Sequence, residues 1–97
     1  MAVIETVKFN LKAGVDREEF YAINERFQRE VAPVLPGLTR REASRAEDGT
    51  LLLILRYTDM DSAARAMGSD TSDVSQQLMS MIDTSSLQVG HYEIVSE

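Results

Sequence analysis

Apolar and polar residues alternate at the start of the chain. Val3, Glu5, Val7, Phe9 and Leu11 share one side of an extended backbone and Ile4, Thr6, Lys8 and Asn10 the other, which predicts a strand over Val3–Leu11. Ala13-Gly14 ends it. Asp16 followed by Glu19 has the pattern of a capping box, in which side-chain oxygens satisfy free N–H groups of a first helical turn. The helix it opens carries Phe20, Ile23, Phe27 and Val31 at the spacing of one buried stripe. Pro33 and Pro36-Gly37 stop it, since proline disfavours helical geometry in the residue before it.

Segments 38–46 and 50–58 predict two further strands. Asp48-Gly49 between them is a hairpin signal, because such turns require positive φ. Thr58 or Asp59 then caps a short helix through Met67, with Gly68 as its stop. A second helical piece over 72–82 places Val74, Leu78, Met81 and Ile82 on one side, and 85–95 is a last strand. The order β-α-β-β-α-β specifies an α+β, ferredoxin-like split βαβ sandwich: a four-stranded antiparallel sheet with helices on one face. No linker or change of composition divides residues 1–97, so a single domain is expected.

The third strand complicates that picture. Leu51, Leu53 and Leu55 point one way, Leu52 and Ile54 the other, and two helices cover only one face. A face left in water would carry polar residues. Either a second copy packs sheet to sheet, forming a homodimer, or an apolar hairpin face stays partly exposed.

Composition narrows the function classes. The formal charge is −6, from 10 basic and 16 acidic residues, which disfavours a phosphate backbone as partner. Cysteine is absent, so disulfides, thiolate-bound metals and cysteine nucleophiles are excluded. One histidine without a tight carboxylate cluster makes no metal set. The longest apolar run, Leu51 to Leu55, is too short to span a membrane, and the first residues lack the pattern of a signal peptide. A cytoplasmic protein is expected, without nucleic-acid or membrane partners.

Several stretches resemble a known family. Segment 5–16, then Phe20, Asn24 and Gln28, Leu35-Pro36-Gly37, Arg41-Glu42, Glu47-Asp48-Gly49, segment 57–63, Met81-Ile82-Asp83 and His91-Tyr92-Glu93 are similar to the dimeric α/β-barrel superfamily. The match is to the small single-domain branch of its antibiotic biosynthesis monooxygenase group. The resemblance implies a dimeric α/β barrel. It also implies a range of activities: cofactor-independent oxygenation of aromatic polyketides, haem degradation, muconolactone-type isomerisation and stress-associated roles. Haem-degrading members use a helical histidine and a tryptophan. This chain has no tryptophan, and its histidine falls on the last strand, so no cofactor is expected. Tyr57 stands where relatives often carry tryptophan.

Six residues are candidates for a site. Glu5 and His91 lie on neighbouring antiparallel strands, where a carboxylate would orient the imidazole as a general base; the plainer reading is a strand-end pair or two unconnected solvated residues. Asn24 and Gln28 flank the apolar helix stripe and, with weight from the resemblance, would hydrogen-bond ligand oxygens at a helix–sheet cleft, or else bind backbone or water there. Arg56 would hold an anionic substrate or form an ion pair, with Glu42 as one partner. Tyr57 would donate to a substrate oxygen or fill the core. Arg40, Arg41 and Arg45 read as a solvated strand edge, and Met60, Met67, Met79 and Met81 as gap-fillers or a lid hinged at 68–71. Two functions follow. One is a cofactor-independent monooxygenase or isomerase acting on a small aromatic or polyketide-like molecule. The other is a non-catalytic small-ligand-binding or stress-associated dimer.

Overall fold

The computed structural model describes residues 1–69 and 72–97. Its order is β1 (Val3–Leu11), α1 (Arg17–Arg26), β2 (Leu38–Arg45), β3 (Leu51–Tyr57), α2 (Met60–Ser69), α3 (Asp73–Ser80) and β4 (Ile82–Glu93). The four strands form one antiparallel sheet in the order β2-β3-β1-β4, the ferredoxin-like arrangement expected.

Local chemistry accounts for the boundaries. Asp16 caps α1 by accepting from the Glu18 N–H at 3.0 Å. Beyond α1 the backbone widens into a π turn over Phe27–Val31, with the Ala32 N–H reaching the Phe27 carbonyl, and then tightens over Ala32–Val34. The β2–β3 hairpin turns at Gly49, whose φ of 94° suits glycine, while Asp48 Oδ1 accepts from the Thr50 N–H at 2.9 Å.

The helix side of the sheet is the core. Leu51, Leu53, Leu55 and Tyr57 are buried there, and Phe9 meets Phe20 edge to face at 5.8 Å. Leu52 and Ile54 face the opposite way and are only half-buried. Ile82 departs from the sequence reading: it belongs to β4 rather than to the preceding helix, paired with Leu11 and buried. The ladder then shifts register between Lys8 and Asn10, where the Asn10 N–H bonds Ser86 Oγ at 2.8 Å. The hinge expected at 68–71 includes Asp70 and Thr71, which lie outside the described residues; α2 itself runs through Ser69. Among the described residues no helix is long and apolar enough to cross a membrane.

Candidate functional site

Register builds the site. Leu55 pairs with both Arg41 and Glu5, and Glu5 pairs with His91, so Arg41, Leu55, Glu5 and His91 form one row across all four strands. Alternation along each strand keeps the whole row on the helix side. Between this row and the helices lies a cavity of about 300 Å³, walled by apolar groups such as Val7, Leu53, Phe27 and Leu78. Glu5, Arg41 and Tyr57 also reach its wall, and all three are buried.

Glu5 Oε2 and His91 Nε2 share a hydrogen bond of 2.8 Å. Their roles divide by position. Glu5 is 5% exposed and lines the cavity, whereas His91 sits outward on the edge strand β4 and does not. The second carboxylate oxygen, Oε1, has no hydrogen-bond partner among the described residues. The group that faces the cavity is therefore the carboxylate, with the imidazole behind it.

The sequence pattern puts Arg41 on a solvated strand edge, whereas the structure buries it against the helices. It is 6% exposed. Nη1 donates to Gln28 Oε1 at 3.0 Å and Nη2 to Asn24 Oδ1 at 2.8 Å, and the guanidinium carbon lies 4.5 Å from the Phe27 ring centroid. Nε is buried without a partner among the described residues. Burial pulls the guanidinium pKa down to about 10. The signal was available: the Asp48-Gly49 turn sets Arg41 opposite Leu55, a core position.

Asn24 and Gln28 consequently turn toward Arg41, and neither is on the cavity wall. Tyr57 is on it. Its hydroxyl has no hydrogen-bond partner among the described residues, and its pKa is pushed up to about 12, first by burial, then by the Glu5 charge, with Arg41 opposing. Arg56 is placed elsewhere. One residue before Tyr57, it points to the other sheet face and pairs with Glu97 at 2.7 Å. Glu42, the partner expected for it, instead binds Arg40 at 2.9 Å.

Among the described residues no three His, Asp or Glu side chains converge into a metal site. Chemically, the cavity offers a carboxylate able to accept a proton, a phenol able to donate a hydrogen bond and a fixed positive charge.

No protein-family model matches the sequence, and no curated protein does. Solved structures do match. SnoaB from Streptomyces nogalater, a cofactor-independent oxygenase, superposes with a TM-score of 0.78 at 18% identity, over 99% of this chain and 95% of that one. Rv0793 from Mycobacterium tuberculosis gives 0.74 at 14% identity, over 100% and 98%. A Bordetella bronchiseptica protein, provisionally described as an antibiotic biosynthesis monooxygenase, gives 0.80 at 13% identity, over 98% of each chain. The chain has the fold of antibiotic-biosynthesis-monooxygenase-like proteins.

Proposed function

We propose that this protein is a cofactor-independent monooxygenase or isomerase that binds a small aromatic or polyketide-like molecule in the helix–sheet cavity. The observation that carries this reading is the unpartnered Glu5 oxygen on an apolar wall, backed by His91. Glu5 takes a proton from an acidic C–H of the substrate, and His91 holds the carboxylate in place at the solvent side. Tyr57 donates to the oxygen on which the resulting anion is delocalised. An electron-rich anion of this kind then has two fates. It is reprotonated at another carbon, an isomerisation, or it reacts with O2. In the second case a CH2 becomes C=O, and its two hydrogens leave with the other oxygen atom as water.

Supporting the reading, SnoaB, which shares the fold, is a cofactor-independent oxygenase. Residues 1–97 act as one domain, and the half-buried Leu52 and Ile54 suit packing of the outer sheet face against a second copy, completing a dimeric α/β barrel. The cytoplasm belongs to the same proposal, since no cysteine is present to exploit an oxidising compartment.

The test is turnover of anthrone, an aromatic ketone with an acidic CH2, followed by oxygen uptake and product absorbance. Wild type turns it over, and Glu5→Gln does so at least about a hundredfold more slowly. One observation favours a non-catalytic ligand-binding dimer instead: Asn24 and Gln28 bond Arg41 rather than line the cavity. Anthrone bound equally by wild type and Glu5→Gln, without turnover by either, selects that reading.

A further inference from the structure

Among the described residues, Arg41 is a buried cation without an anion. Two of its five N–H groups are taken, by the neutral amide oxygens of Asn24 and Gln28. Nε is buried and unsatisfied, and no carboxylate lies within ion-pair distance of the guanidinium among the described residues. The acid on the same wall, Glu5, stands beyond Leu55 and is already bonded to His91. With strands about 4.8 Å apart, the backbones of Arg41 and Glu5 are separated by roughly 10 Å. A charge withdrawn from water in this way is costly unless an anion meets it.

We propose that the cavity takes substrates bearing a carboxylate, which docks on Arg41 and completes its ion pairing. This deepens the functional reading above and rests on the same cavity. Charge orders the ligand: its anionic end is drawn to Arg41 and repelled by Glu5, so the reactive, uncharged end lies against the Glu5 carboxylate. Phe27, stacked on the guanidinium, and the two amides hold the charge in place. Arg41 is thus a specificity residue, with Asn24 and Gln28 as positioning residues.

The experiment compares two probes of one shape, naphthoate and uncharged naphthamide, by isothermal titration calorimetry. Wild type prefers naphthoate by about tenfold or more, as expected for a charge-assisted bond to a buried guanidinium. Arg41→Met abolishes the preference while still binding naphthamide, and Arg41→Lys retains part of it because the charge remains. Equal affinity of wild type for both probes overturns the inference without requiring any variant, and leaves the cavity reading standing. A preference that survives in Arg41→Met also overturns it. Binding of neither probe overturns the cavity reading together with the inference.

Discussion

Glu5 and His91, 86 positions apart in the chain, face each other across β1 and β4 and share a 2.8 Å hydrogen bond. Their burial is unequal: the Glu5 side chain is 7% exposed and the His91 side chain 32%. The carboxylate faces the cavity and the imidazole faces solvent, so under the proposed function the two variants should differ. Glu5→Gln is expected to lower kcat for anthrone by about a hundredfold or more, the range of general-base removal. His91→Ala is expected to cost less, roughly tenfold, because it loosens the base without removing it. Steady-state oxygen uptake measures both, and a larger loss in His91→Ala would reverse the assignment.

Arg41 shapes the alkaline stability. Folded, its guanidinium releases its proton near pH 10; unfolded, it holds that proton to higher pH. Between the two values the unfolded chain binds more protons, so the Arg41 contribution to stability rises with pH. Below that window the buried charge opposes folding by something on the order of a few kcal/mol. Urea unfolding of wild type and Arg41→Met checks this. The stability of wild type relative to the variant should increase from about pH 9 to about pH 11.

Tyr57 acts in the opposite direction over the same range. Its pKa rises from 10.0 to about 12 on folding, so between these values the folded chain holds a proton that the unfolded chain has lost. Its contribution is complete below pH 10 and is lost as pH rises toward 12. Wild type should therefore lose stability relative to Tyr57→Phe over that window. A tyrosinate absorbance titration should show one component near pH 12 that is missing from the variant.

The outer sheet face carries Leu52, Ile54 and Arg56, all half-buried within one chain. Ile54→Glu puts a charge in the middle of this surface, opposite Glu42 on β2. In sedimentation velocity, wild type should run as a dimer at micromolar concentration and Ile54→Glu as a monomer. Monomeric wild type would remove the sheet-to-sheet partner.

Gly37 joins the end of the π and tight turns to β2 with φ of 81°, and a Cβ there would run into Ser62 at the start of α2. Gly37→Ala should cost about 1–3 kcal/mol from backbone conformation and crowding together. Denaturant midpoints at constant slope measure the loss. The same change at Gly14, where a Cβ meets nothing within 4 Å, carries only the conformational part and should cost less.

Much of this molecule was legible along the chain, because the signals are local. Alternation in segment 3–11 marks a strand, Asp16 caps a helix, and Asp48-Gly49 turns a hairpin through interactions within a few residues. Element order then specifies the sheet topology, and with it the opposition of Glu5 and His91. Ile82 has no such local signal, because a short apolar stretch suits helix and strand alike until Leu11 pairs with it.

The wall of the cavity was decided by packing. Hairpin register separates Arg41 from Arg40, but nothing in sequence distinguishes it from Arg45, which stands opposite the equally buried Leu51. Only the sheet, setting it beside Leu55 and beneath Asn24, Phe27 and Gln28, turns a surface residue type into a buried cation. Likewise Glu5 becomes the cavity-facing group and His91 its outer support, because β1 is a central strand and β4 an edge. The sequence determined which residues share a row. Depth beneath the helices, which requires every element in place at once, decided which of them line the cavity.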